Sequence, residues 1–319
     1  MRKICGILLV LTIAGCGGGS TPAAPTSAQT VVPTPTPVPV LTVTGGDTGK
    51  PIAGAQVVVA GVPLTTDANG QVRPTSVPNG ATIDIIAPGY LDRQTLLRTG
   101  ADALSRFSLW PRQPLPQFNE DYTKALIYTS SSFGNEGASD PLRRLASRTS
   151  QIRVVLPPEI ASDSTAVFFH QFAADNMNTA VAGLFRYTVG AEALSGALSV
   201  PVSINPAGAS CTGTTAAYAS VGSNGLGEIT SIAITYCAAR WARDGRVILH
   251  EMGHTLGLRH STLRSDVMYP VVSIDVFTER ELLLMKLMYQ RPPGNAFPDN
   301  DRSTAGLAAP REETIVCAR

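Results

Sequence analysis

The apolar positions of the chain change period several times, and each change marks an element. Ile4 to Ile13 is a nearly unbroken apolar run, too short for an ordinary membrane-spanning helix. Between Val40 and Pro111, short apolar runs alternate with turn signals. The runs are Leu41-Thr42-Val43, Ala55 to Ala60, Thr82 to Ala87 and Phe107-Ser108-Leu109. The turns fall at Thr48-Gly49-Lys50-Pro51, Asp67-Ala68-Asn69-Gly70 and Pro78-Asn79-Gly80. This pattern predicts a small all-β sandwich over residues 40–111, followed by a proline-bearing linker at 112–120.

From residue 121 to 294 the pattern mixes both periods. Gln151 to Leu156 is β-branched and closed by Pro157-Pro158, so it predicts a strand. Ser162-Asp163-Ser164 opens a helix expected to run to about Tyr187. Phe169, Ala173, Met177, Ala180 and Leu184 recur along it at helical spacing. Leu198 to Ile204, Ala216 to Val221 and Glu228 to Tyr236 predict further strands. Arg240 to Leu258 predicts a helix that buries Leu249, Gly253 and Leu256. Thr278 to Gln290 predicts the last helix, opened by a capping box of Thr278 and Glu281. Residues 295–319 are polar and expected to be irregular. The fold class is therefore multidomain: a small all-β sandwich, then an α+β domain with a mixed twisted sheet.

Composition sets the chain's surroundings. The 319 residues carry 25 basic and 24 acidic side chains, a balance that points away from nucleic acid. Arg2-Lys3 and the apolar run form a leader over residues 1–15. Ile13-Ala14-Gly15-Cys16 resembles the lipobox of bacterial lipoproteins, which implies lipid on Cys16 and a membrane-anchored, exported protein. Delivery to the outer membrane or cell surface is favoured; an ordinary secretory signal is the plainer alternative. Residues 16–39 read as a flexible tether rich in Pro and Thr. Of the five cysteines, Cys5 leaves with the leader and Cys16 carries lipid. In an exported chain a Cys211–Cys237 disulfide is favoured, with Cys317 free or replacing one partner.

The candidate chemistry lies between Val247 and Pro270. Three of the four histidines sit in His250-Glu251-Met252-Gly253-His254-Thr255-Leu256-Gly257-Leu258-Arg259-His260. On a helix, His250 and His254 share a face one turn apart, and Gly257 allows the chain to turn back. His260 can then supply a third nitrogen. Three protein ligands and one open position suit a catalytic rather than a structural zinc. Glu251 lies beside the open position as a candidate general base.

With Ser261 and the turn Val267-Met268-Tyr269-Pro270, this stretch resembles the metzincin metalloproteases, in their matrixin-like branch. The resemblance implies a metzincin-like catalytic domain and a zinc endopeptidase acting on a peptide or protein. It implies His250, His254 and His260 as zinc ligands, Glu251 as general base and Met268 as the floor of the Met-turn. It also implies a substrate strand paired with an edge strand, for which Ala216 to Val221 is the candidate. Leu263, Val271 and Val272 are candidates for the pocket beyond the cut, or for packing around the turn.

Ile52-Ala53-Gly54-Ala55-Gln56-Val57, Thr65 to Gly70 and Ala87-Pro88-Gly89-Tyr90 resemble the carboxypeptidase regulatory-like, transthyretin-like sandwich. This implies a scaffold or binding module. No cysteine-bearing propeptide motif precedes the catalytic stretch, so latency through a thiol is not expected. His170 reads as a helix-surface or core-edge histidine. Calcium is left open: Asp299-Asn300-Asp301 could bind it, although a solvated turn is favoured. A monomer is assumed. Two alternatives remain: an adhesion or scaffold lipoprotein with a vestigial zinc site, and a zinc exopeptidase or amidase acting on cell-wall peptides.

Overall fold

The computed structural model describes residues 40–75, 77–97, 106–130, 139–205, 207–301 and 310–318. The leader, Cys16 and the tether lie outside the described residues. No helix among the described residues is long and apolar enough to cross a membrane.

The first module has two small sheets. One is ordered β4–β1–β7, from β1 (Leu41–Gly45), β4 (Gln71–Val72) and β7 (Arg106–Leu109). The other is ordered β3–β2–β5–β6, from β2 (Gln56–Val59), β3 (Val62–Thr65), β5 (Thr82–Ile86) and β6 (Arg93–Leu96). Alternation decides what faces inward: in β5, Ile83 and Ile85 are buried while Thr82 and Ile86 are exposed, as period-2 side chains require. They join Leu41, Val43, Val57, Val59, Phe107 and Leu109 in one core. The turn at Asp67 is an Asx turn, its carboxylate accepting from the backbone N–H of Asn69 and Gln71. Gly70 closes it at φ +69°, where a Cβ would lie 2.5 Å from the Val43 carbonyl oxygen.

The second module is built on a seven-stranded sheet ordered β10–β9–β11–β13–β12–β14, with β8 (Arg144–Leu145) also paired to β13. Its strands are β9 (Gln151–Val155), β10 (Arg186–Gly190), β11 (Leu198–Ile204), β12 (Thr215–Ser223), β13 (Glu228–Tyr236) and β14 (Arg311–Ala318). β10, β9, β11 and β13 run parallel, whereas β12 is antiparallel to both neighbours. Short helices α1 (Glu120–Thr123) and α2 (Pro158–Ala161) precede the long α3 (Ser164–Ala180). α3 links the parallel strands β9 and β10 and packs against α4 (Gly245–His254). α5 (Glu279–Met288) completes the module.

Several expectations are corrected. The helix after Asp163 stops at Ala180 rather than near Tyr187. Gly183 adopts φ +82°, and the chain re-enters the sheet as β10, in register with β9. Leu184 is exposed rather than on the buried stripe, which is formed by Ala166, His170, Ala173, Ala174 and Met177. His170 is fully buried, neither on the helix surface nor at the core edge. Its Nδ1–H donates to the Ala166 carbonyl, and its Nε2 accepts from the Tyr236 hydroxyl at 3.0 Å.

The helix expected from Arg240 begins at Gly245, because Asp244 takes the N-cap and accepts from the Arg246 N–H. Residues 239–243 form a 3₁₀ turn before it. The region expected to be an irregular tail contains β14. Cys211 and Cys237 form a disulfide with Cα atoms 5.3 Å apart.

The two modules have separate cores but a shared, polar boundary. Leu91 and Trp110, from the first module's segment, bury their side chains in the larger core. Arg291 is fully buried and forks onto both oxygens of Asp299 at 2.5 and 2.6 Å, and its guanidinium lies over Trp110. Arg93 of β6 pairs with Asp301 at 2.8 Å, and Asn295 donates to both aspartates. The Asp299–Asp301 loop is thus neither a solvated turn nor a free set of carboxylates: it is neutralised from two sides.

Candidate metal centre

Each element around the histidines is set by a local constraint. Along α4 every residue but Arg246 is buried, so the helix is packed on all sides. Gly253 leaves room for the Met-turn: a Cβ there would lie 2.3 Å from the Met268 sulfur, so that side chain would have to shift. Gly257 turns the chain at φ +96°, and a Cβ would come within 2.0 Å of the Arg143 carbonyl oxygen. No other residue meets both conditions there. The turn brings His260 back to the helix, with ring centroids 5.4 Å from His250 and 5.2 Å from His254.

Hydrogen bonds orient two of the rings. His250 Nδ1 lies 2.7 Å from the Val267 carbonyl oxygen, and His254 Nδ1 lies 2.8 Å from that of Leu258. A carbonyl only accepts, so each Nδ1 carries its proton and each Nε2 offers a lone pair. The two Nε2 atoms are 3.1 Å apart. His260 Nε2 is buried without a hydrogen-bond partner. Burial holds the rings neutral, pushing His250 down to about 4, His260 to about 3 and His254 well below its ordinary value. Two convergent lone pairs with no proton between them, and a third ring nitrogen without a partner beside them, call for a cation. Ligand nitrogens about 2.0–2.1 Å from a tetrahedral zinc stand about 3.3 Å apart, close to the 3.1 Å between the His250 and His254 Nε2 atoms. The triad therefore fits a zinc site.

Glu251 is fully buried beside this triad, and neither carboxylate oxygen has a nitrogen or oxygen partner. Burial raises its pKa well above the usual carboxylate range; the nearby Cys317 thiol partly offsets this. Beneath the histidines the Met-turn is held at several points. Ser261 N–H donates to the Met268 carbonyl, and Met268 N–H donates to Glu281 at 2.9 Å. Ser261 and Thr278 hydroxyls both donate to Asp266, which also pairs with Arg280. Glu281 also closes the capping box of α5 with Thr278.

The structure brings together His250, His254, His260, Glu251 and Met268. It does not gather the three pocket candidates equally. Leu263 and Val272 lean on the main core, whereas Val271 is exposed and bridges to Ala318. The expectation that Ala216 to Val221 offers a free edge is overturned, because β14 pairs along β12 from Thr215 to Ser223.

Cys317 is the residue that sequence reasoning left unplaced. It is buried, and its sulfur, a His250 ring nitrogen and a Glu251 oxygen all lie within 4.8 Å of one another. The signal was the β-branched run Thr314-Ile315-Val316 after a charged stretch, outweighed by the polar residues before it. Arg259 was also missed: it is buried and pairs with Glu313 of β14.

The matrixin family model matches residues 239–284, from the 3₁₀ turn before α4 into α5. Among solved structures, metalloproteinase-II from Bacteroides fragilis is similar at 11% identity, covering 78% of this chain and 84% of that chain with a TM-score of 0.31. No curated protein matches the sequence significantly. The matrixin match and the geometry of the triad together support a zinc metalloprotease.

Proposed function

We propose that this protein is a metzincin-like, matrixin-type zinc endopeptidase. The observation that carries the reading is the convergence of three neutral histidine rings beside a buried carboxylate with no nitrogen or oxygen partner. His250, His254 and His260 would hold the metal. A zinc ion there supplies Lewis acidity toward a scissile carbonyl and toward water. Glu251 accepts a proton from the attacking water and delivers it to the leaving amine. Its burial keeps its affinity for that proton high. Backbone carbonyls of Val267 and Leu258 hold two ring tautomers throughout. Met268 supports the site from below without ligating.

We place the enzyme at a bacterial membrane surface through lipid on Cys16, with the sandwich as a scaffold or binding module. Support for this comes from the leader, the lipobox-like residues and the Pro/Thr-rich tether. Palmitate labelling of wild type and Cys16→Ser tests the anchor; equal labelling would remove it.

For the chemistry, Glu251→Ala should retain one zinc per chain by atomic absorption. Its peptide hydrolysis should fall by about 10²–10⁴-fold, the range for loss of a positioned general base. Full activity in that variant would refute the assignment.

A further inference from the structure

The sheet edge that is the candidate for pairing with a peptide is covered by the chain itself. β14 lies antiparallel to β12, with Cys317 opposite Ala217 and Arg311 opposite Ser223. On its other side Ala318 bridges in parallel to Val271, the first residue after the Met-turn's proline. Ala318 N–H donates to the Pro270 carbonyl at 2.8 Å, and Val272 N–H donates back to Ala318 at 3.4 Å. The end of β14 is thus held between the sheet edge and the Met-turn segment, as an extended peptide added to a sheet would be.

Charge and chemistry reinforce that placement. Glu313 of β14 is buried and pairs with two buried arginines: Arg143 at 2.8 Å, and Arg259, the residue before the third histidine. Asp140 links Arg143 to Arg311 at the start of the strand. At the other end, the Cys317 sulfur lies within 4.8 Å of a His250 ring nitrogen and a Glu251 oxygen. Nitrogen and sulfur ligands on one tetrahedral zinc stand about 3.5 Å apart; the sulfur lies within 4.8 Å of His250 but not of all three histidines, so its side chain would have to turn toward His254 and His260 to join the set. The other titratable groups that act on the Cys317 thiol are Glu251, which accepts from it, Asp244 and Tyr236.

Resting on the peptidase reading above, we propose that β14 is an autoinhibitory strand. It occupies the substrate's place along β12 and supplies Cys317 as the fourth zinc ligand, with the thiol proton released to solvent. The enzyme is then latent until β14 is displaced, and a substrate must compete with the strand for both the sheet edge and the metal.

X-ray absorption on the zinc-loaded full chain tests this without requiring any variant to fold. The wild type should show one sulfur at about 2.3 Å beside its nitrogen ligands, and Cys317→Ser should show none. Cys317→Ser should also cleave an internally quenched peptide about tenfold faster, as release from a state holding about 90% of molecules requires. Glu313→Gln, which weakens the clasp and leaves the sulfur in place, should raise cleavage by a smaller factor. Bound zinc without sulfur, with equal rates for wild type and Cys317→Ser, would overturn the proposal and leave the peptidase reading standing. Metal-bound sulfur with no hydrolysis by any variant would support the strand's placement and count against the peptidase reading instead.

Discussion

Two buried polar clusters in this protein are handled in opposite ways. At the boundary between modules, Arg291, Asp299, Asn295, Arg93 and Asp301 answer one another through short charge-assisted bonds. Around α4, His260 Nε2 and both Glu251 oxygens are buried with no nitrogen or oxygen partner. Every charge of the first cluster is paired, although Arg93 Nε stays without a partner, and such a network holds a structure together. Buried groups left unsatisfied cost free energy, and a convergent set of them, unlike the scattered unpartnered nitrogens of Arg93, Trp110 and Arg280, marks a place where something else can be bound. The contrast separates the architectural cluster from the chemical one, although both are rich in charge and equally hidden.

That contrast can be broken from the architectural side first. Arg291→Ala leaves Asp299 buried without its main counter-charge, and should destabilise the protein by about 3–5 kcal/mol. Chemical denaturation measures the loss. The zinc content of the remaining folded fraction should stay at one per chain, because Arg291 pairs with Asp299 and Ser108 rather than with the triad.

Glu281 is intermediate between the two clusters. It accepts bonds from Thr278 and Met268, yet burial first, and then Asp266, raise its pKa to about 7. Tyr122 and Arg280 also face this group of carboxylates. A carboxyl that keeps its proton to about 7 when folded, but loses it near 4.5 when unfolded, favours the fold most at low pH. Its contribution should therefore decline as pH rises from 4.5 through 7, by up to about 3 kcal/mol. Glu281→Gln should flatten that decline; denaturation midpoints at pH 5 and pH 8 for both proteins will show it.

A smaller effect is expected at the floor of the metal site. Gly253→Ala would push a methyl group into Met268, costing about 1–3 kcal/mol as overpacking does. It should also weaken zinc binding, because α4 carries His250 and His254 over the same turn. Competition with a chromophoric chelator measures the second effect. Unchanged zinc affinity would mean that the Met-turn supports the fold but not the geometry of the triad.

Much of the site was legible because its chemistry is local. The four-residue spacing of His250 and His254, the turn at Gly257 and the capping box of Thr278 and Glu281 all depend on a few neighbouring residues. The strand pattern of β5 and of β13 was legible for the same reason. The errors were mostly non-local. β10 was hidden in a pattern that continues the helical stripe through Leu184. The Asp299–Asp301 loop reads as a solvated turn until Arg93 and Arg291, remote in sequence, close on it.

The sequence by itself determined a donor set and the helix that carries it, since i, i+4 geometry and glycine's backbone freedom are local properties. It also carried the alternation that builds the two sheets of the first module. Only the tertiary structure decided what lies across β12. Eight residues near the end of the chain pair there because two buried arginines need Glu313 and because a sheet edge needs a partner. No periodicity of that segment names its partner strand, and no spacing places Cys317 beside a glutamate 66 positions earlier.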